Sequence, residues 1–100
     1  MKGPPVNDSG RIDMRVDLMD EDMILIIMIS SRLRDTEEHR GLLTRKLESY
    51  LEYIQSSDCS RYRNGTVEIK NGWPLPVSLV AICEDRADKF TDFRCNLAWK

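Results

Sequence analysis

Apolar and charged residues alternate strictly near the start of the chain. Between positions 11 and 18 every second residue is apolar, and these residues are Ile12, Met14, Val16 and Leu18. A period of two is that of a β-strand, whose successive side chains point to opposite faces of the sheet. The alternation therefore predicts a half-buried strand, with the apolar set inside and the charged set in solvent.

The following segment is apolar without interruption. After three acidic residues at positions 20–22, the chain reads Met-Ile-Leu-Ile-Ile-Met-Ile from position 23 to position 29. A short apolar run rich in isoleucine favours an interior strand with apolar residues on both faces. The acidic stretch separates the two apolar segments. We therefore expect the chain to reverse its direction there in a tight turn, which gives a β-hairpin whose second strand is central.

A helical period replaces the strand period between positions 35 and 55. Apolar side chains recur at spacings of four, three and four, at Leu43, Leu47, Tyr50 and Ile54. This stripe predicts an amphipathic helix that ends near Gln55 and packs by one face. Asp35 and Glu38 have the spacing of a capping box, so Asp35 is the expected N-cap.

The second half of the chain predicts three more elements. Val67 and Ile69 mark a short strand at 66–70, Pro76 marks the first turn of a second helix, and alternation at 93–100 marks a final strand. The order ββαβαβ predicts an α+β fold, a two-layer sandwich of a four-stranded sheet with two helices on one face. We expect a flexible tail at 1–9 and a single domain at 10–100.

The first helix carries a recognisable pattern. Its specific residues are Glu38-His39, Leu42-Leu43, Lys46, Tyr50 and Tyr53-Ile54. Together with Ile12-Asp13, the strand at 67–69, Pro74 and Pro76, this pattern resembles a family of small bacterial proteins known only as a domain of unknown function. The resemblance covers residues 11–100 and departs at 59–64. It implies a fold and a bacterial cytoplasmic setting, and it supplies no catalytic residues.

Charge and composition narrow the classes of function. The chain has 15 Lys and Arg against 17 Asp and Glu, a formal net charge of -2. General polyanion binders usually carry a basic excess, so this balance argues against nucleic acid as the partner. The longest apolar run is too short to span a bilayer, and the first ten residues lack the apolar stretch of a secretory signal. We therefore expect a cytoplasmic protein without a membrane partner.

The candidate catalytic and metal-binding groups are few. The cysteines are Cys59, Cys83 and Cys95, without a CxxC pair, and His39 is the single histidine. We expect Cys83 and Cys95 in the core, Cys59 in a loop, and no metal or cofactor. No nucleotide-binding or hydrolase motif occurs, so we expect no enzyme activity, with an enzyme using His39 as the alternative.

Aromatic and basic loop residues are the candidate binding residues. Trp73 lies in a loop between Gly72 and Pro74, where it either closes the edge of the core or anchors a partner. The expected function is that of a small non-catalytic protein-binding module, either monomeric or dimeric through a sheet edge or an uncovered sheet face. The alternatives are nucleic-acid binding through Arg61, Tyr62 and Arg63, and an immunity- or antitoxin-like inhibitor.

Overall fold

Six helices and strands make up the part of the chain that the structure describes. The computed structural model describes residues 12–19, 21–56 and 62–99 of the 100-residue chain. In chain order they are β1 (Met14–Asp17), β2 (Asp22–Met28), α1 (Glu37–Ile54), β3 (Asn64–Lys70), α2 (Val77–Thr91) and β4 (Cys95–Ala98). The predicted ββαβαβ order is confirmed. The predicted tail at 1–9 lies outside the described residues.

The four strands form one sheet in the order β1-β2-β3-β4. β1 and β2 are antiparallel, as the predicted hairpin requires, whereas β2, β3 and β4 run parallel. A parallel connection needs a crossover, and α1 and α2 supply the two crossovers. The helices pack against each other and against one face of the sheet, which makes the fold the predicted α+β two-layer sandwich.

The core lies between the helices and the covered face of the sheet. Alternate residues of β2 and β3 point into it, because side chains of a strand alternate between faces. The sheet side of the core consists of Met23, Leu25, Ile27, Val67, Ile69, Cys95 and Leu97. The helix side includes Leu43, Leu47, Tyr50, Ile54, Leu79, Cys83 and Phe90. The predicted core positions of Cys83 and Cys95 are confirmed.

The N-terminus of α1 differs from the prediction. Thr36, and not Asp35, is the N-cap, and its Oγ1 accepts a hydrogen bond of 3.1 Å from the His39 amide. The Asp35 carboxylate instead accepts from Ser78 and Arg40, each at 2.6 Å. The Ser78 hydrogen bond is the main cause that lowers the pKa of Asp35. Asp35 thus ties the first turn of α1 to the first turn of α2.

The orientation of β1 also differs from the prediction. Met14 and Val16 were expected inside, yet they lie on the sheet face opposite the helices and are exposed. Asp13 and Arg15 lie on the helix side, where they bond to side chains of α1. The physical reason is the choice of neighbours on each face. On the face opposite the helices, β2 is apolar and packs beside the apolar residues of β1. On the helix side, α1 provides polar groups that bond to the charged residues of β1.

Neither helix among the described residues combines the length and the hydropathy that a membrane-crossing segment needs.

Candidate functional site

The sheet face opposite the helices, here called the open face, carries an apolar patch. The patch consists of Met14, Val16, Ile24, Ile26 and Met28. Met14 is 46% exposed, Val16 38% and Met28 39%, while the two isoleucines are partly exposed. Apolar side chains that share one exposed surface are the usual mark of an interaction site.

Strand register divides the open face into two halves. One row across the sheet runs Met14, Ile26, Glu68 and Ala98, and the next runs Val16, Ile24, Thr66 and Asn96. Each row begins with two apolar residues on β1 and β2 and continues with polar or small residues on β3 and β4. The open face is therefore an apolar patch bordered by a polar half, which is the arrangement of a protein interface with its rim on one side.

A buried polar network holds β1 in this orientation. Lys46 Nζ lies 2.8 Å from Asp13 Oδ1, and Asp13 Oδ2 accepts from the Met28 amide at 2.9 Å. The Asp13 amide donates to Tyr50 Oη, and Tyr50 in turn donates to the Ile26 carbonyl at 2.5 Å. Burial raises the pKa of Tyr50, so its hydroxyl stays protonated and can donate. The network fixes the strand that presents Met14 and Val16 outward.

Arg15 extends the same attachment. Its guanidinium donates to Tyr53 Oη at 2.6 Å and to Asp17 Oδ1 at 2.8 Å. These hydrogen bonds raise the pKa of Arg15 further above its already high ordinary value, the one to Asp17 most of all. The charged residues of β1 therefore bond to α1 and are not simply exposed to water.

The apolar patch was not among the predicted site residues. A signal for it exists in the sequence, because a strand that is apolar on both faces was expected in a sheet covered on one face only. Together these two features leave one apolar face of β2 without a helix. The direction of β1 could not be read in the same way, since alternation does not say which face is inside.

Trp73, the predicted anchor, lies in the loop after β3. The Asn71 side-chain amide donates to the Trp73 carbonyl, and the Trp73 amide donates to Asn71 Oδ1 at 3.3 Å. The residue is partly exposed. Trp99, by contrast, is partly buried and packs against the core. The two tryptophans therefore differ in role: Trp99 belongs to the core margin, and Trp73 is held by its own loop.

The predicted Arg61-Tyr62-Arg63 group is described in part, because Arg61 lies outside the described residues. The Tyr62 hydroxyl donates to the Phe93 carbonyl, and the Arg94 guanidinium lies over the ring, 5.3 Å from its centre. Tyr62 also packs against the core. The Arg63 side chain is exposed, and its amide donates to the Glu21 carbonyl. These contacts join the start of β3 to the β1–β2 turn and to the start of β4.

A cleft of about 210 Å³ lies at the end of the polar half. Its lining includes Glu68, Lys70, Asn71 and Trp99. Lys70 pairs with Glu68 at 2.8 Å, and Lys70 is also the register partner of Met28. The cleft is therefore continuous with the margin of the apolar patch.

The nucleophilic and metal-binding groups are dispersed. Burial raises the pKa of the Cys83 thiol to about 12, which keeps this group protonated and unreactive near neutral pH. His39 Nδ1 accepts from the Arg34 amide at 2.8 Å, at the first turn of α1. Cys59 lies outside the described residues. Within 12–19, 21–56 and 62–99, no three His, Cys, Asp or Glu side chains are placed to hold a metal ion.

Comparison of the chain with protein-family models, with curated proteins and with solved structures finds no match.

Proposed function

We propose that this domain is a non-catalytic protein-binding module and that the apolar patch of the open face is its binding surface. The observation that carries the proposal is the row pattern of the sheet, which sets Met14 beside Ile26 and Val16 beside Ile24, with Met28 further along β2. Among the described residues, no helix lies on this face. The resemblance of the first helix to a family of bacterial proteins supports a bacterial, cytoplasmic setting for this activity.

The chemistry of the patch defines the partner. Its members lack charge, and they are flanked on β3 by Thr66, Glu68 and Lys70. An apolar protein surface is the matching partner, because burial of apolar area drives such association while rim charges fix orientation. A polyanion finds little to bind on this face, where Lys70 is already paired with Glu68.

Quantitative affinity capture from a lysate of a bacterial source tests the proposal. The wild-type chain is compared with Met28→Asp, which adds one negative charge to the patch, and with Asn96→Asp, which adds the same charge to the polar half. Both positions are exposed, so both variants are expected to fold. A third variant, Trp73→Ala, examines the loop after β3.

We expect one protein to be retained by the wild type and by Asn96→Asp, and lost from Met28→Asp. Loss from Trp73→Ala alone would place the interface in the loop and contradict the proposed surface. Equal retention by all variants would contradict it as well. Recovery of nucleic acid only, with binding that weakens linearly in the logarithm of salt concentration, would support the alternative based on Arg61, Tyr62 and Arg63.

A further inference from the structure

We propose that a cleft at the amino ends of β3 and β4 binds the phosphate group of a small molecule, with Arg94 as its charged residue. The cleft has a volume of about 410 Å³. Its polar lining consists of Asn64, Thr66, Thr91, Arg94 and Asn96. These residues belong to β3, β4 and the end of α2, so the site is separate from the apolar patch that is proposed to bind a protein.

The Arg94 guanidinium is held in place but has no counter-charge. It lies over the Tyr62 ring, 5.3 Å from the ring centre, and the Tyr62 hydroxyl donates to the neighbouring Phe93 carbonyl. Stacking occupies one face of a guanidinium and leaves the N–H groups at its rim able to donate. Arg94 is exposed, and within 12–19, 21–56 and 62–99 no carboxylate forms an ion pair with it. Its donors are therefore available to an anion from solution.

The backbone of Arg94 has a conformation that favours glycine. Its φ is 61°, in the left-handed region, where residues other than glycine are uncommon. Arg94 follows the end of α2, the place where many helices end with a glycine in this conformation. Strained residues of this kind cluster at functional sites. The turn needs no side chain at position 94, so the arginine points to a role for its guanidinium.

Neutral donors line the same cleft. Thr66 and Asn96 are register partners on neighbouring strands, and Asn64 lies two residues before Thr66. Within the part of the chain that the structure describes, these three side chains have no hydrogen-bond partner. Their amide and hydroxyl groups can donate to an anion. The Thr91 hydroxyl differs, since it already donates to the Ala87 carbonyl at 3.1 Å.

These groups fit a phosphate monoester. A guanidinium binds a carboxylate or a phosphate through two N–H groups, but a phosphate has three terminal oxygens and so can accept from the neutral donors as well. Arg94 is the one cation among the lining residues described, whereas a polyanion needs several.

The nearby carboxylates determine where in the cleft the anion binds. Asp22 is the register partner of Asn64, and Asp92 is exposed and not paired with Arg94. Because neighbouring strands are about 4.8 Å apart, Asp22 on β2 lies roughly 10 Å from β4. We therefore expect the phosphate on the β4 side of the cleft, against Arg94.

Titration of isotope-labelled protein with inorganic phosphate, followed by NMR, tests the site. At about pH 8 phosphate is a dianion, and sodium chloride at matched ionic strength measures the effect of screening alone. Arg94→Gly removes the guanidinium from a backbone that suits glycine, and Asn96→Asp places a negative charge beside the anion. Lys89→Gln removes a positive charge from an exposed position on α2 and is the control.

We expect saturable shifts of the Asn64 and Asn96 side-chain amide signals with phosphate and not with chloride. Arg94→Gly and Asn96→Asp are each expected to weaken phosphate binding by about tenfold or more, whereas Lys89→Gln binds like the wild type. The urea-unfolding midpoint of Arg94→Gly is expected to equal or exceed that of the wild type, because glycine relieves the strain.

Shifts that fail to saturate, or that chloride reproduces, would overturn the proposal. So would wild-type affinity in Asn96→Asp, a variant that tests the site even if Arg94→Gly unfolds. A clear fall in the midpoint of Arg94→Gly would also overturn it, because the arginine would then serve the turn and the Tyr62 contact. Asn96→Asp is expected to retain the captured protein, so failure of this site and failure of the proposed function are separate results.

Two further titrations distinguish the source of the phosphate group. Glycerol phosphate is a monoester with three terminal oxygens, and dimethyl phosphate is a diester with two. We expect glycerol phosphate to bind at least as tightly as inorganic phosphate, and dimethyl phosphate to bind more weakly. Tighter binding of the diester would contradict the assignment and would indicate a nucleic-acid backbone as the ligand.

Discussion

Lys46 Nζ lies 2.8 Å from Asp13 Oδ1, and both side chains are buried, with exposures of 0% and 7%. The pair joins the middle of α1 to the residue just before β1. A buried charge is tolerated when it is paired and its remaining groups are hydrogen-bonded, which the Met28 amide achieves for Asp13. This ion pair attaches the start of β1 to α1 and so fixes which face of β1 points toward the helices.

Removal of one partner is expected to be severe. Lys46→Met leaves the Asp13 carboxylate buried without its counter-charge, and we expect a loss of about 3–5 kcal/mol in the free energy of unfolding. Urea unfolding followed by circular dichroism measures it. Lys89→Met is the matched control, since Lys89 is exposed on α2, and a change within about 0.5 kcal/mol is expected there.

The double variant separates charge from packing. Asp13→Asn combined with Lys46→Met removes both charges and keeps an oxygen that can accept from the Met28 amide. We expect it to recover a substantial part of the stability that Lys46→Met loses. If the double variant were less stable than Lys46→Met, the lost stability would come from packing around the lysine stem and not from an uncompensated charge.

Gly65 is required by its neighbour on β4. A Cβ at position 65 would lie 2.5 Å from the Cys95 Sγ atom, its register partner in the core. Gly65→Ala is therefore expected to lower the free energy of unfolding by about 1–3 kcal/mol. Gly72→Ala is the control, because a Cβ there meets no atom within 4 Å.

A second substitution tests the cause of that loss. Cys95→Ala removes the sulfur atom that the new Cβ would meet. In a double-mutant cycle we expect Gly65→Ala to be less harmful in the Cys95→Ala background than in the wild type. Strictly additive effects would show that the strain lies elsewhere in the strand.

Alkaline pH is expected to weaken the fold through Cys83. Burial raises the pKa of this thiol from 9.0 to about 12, so the thiolate forms first in the unfolded chain. The stabilisation is complete below pH 9.0 and is lost as the pH rises toward 12, at about 1.4 kcal/mol per pH unit within that window.

Comparison with Cys83→Ala isolates this effect. Tyr50 also has a raised pKa and contributes to the alkaline loss in both proteins. We expect the wild type to lose stability more steeply than Cys83→Ala between pH 9.0 and 12, as measured by urea unfolding at each pH. Parallel curves would mean that the thiol titrates alike in the folded and unfolded chains.

The two faces of β2 are expected to respond differently to truncation. Leu25→Ala removes a fully buried side chain and should cost about 2–5 kcal/mol. Met28→Ala removes a side chain that is 39% exposed on the open face, and a much smaller loss is expected. Equal losses in thermal or urea unfolding would show that the apolar patch serves the fold and not a partner.

Element order and type could be predicted because they depend on local periodicity. Both helices and all four strands follow from spacings within about twenty residues. The N-cap of α1 could not be predicted in this way. Asp35 was expected there, but its carboxylate accepts from Ser78, which lies far away in the sequence on α2, and Thr36 takes the cap position. Such contacts exist only once the helices are packed.

The candidate site was hidden for a related reason. Contacts with Lys46, Tyr50 and Tyr53 determine which face of β1 points toward the helices, and these residues lie more than thirty positions away in the sequence. A loop tryptophan stands out in a sequence, whereas an apolar patch emerges only when register sets Met14 beside Ile26 and Val16 beside Ile24.

Site-specific photo-crosslinking tests the central claim, that the apolar patch contacts a partner protein. A photoreactive amino acid is placed at Met28 in the patch or at Asn96 in the polar half, two exposed positions on the same face. After irradiation in cells of the source organism, we expect one protein crosslinked from position 28 and little or none from position 96. Crosslinks of equal yield from both positions, or from position 96 alone, would contradict the assignment of the binding surface.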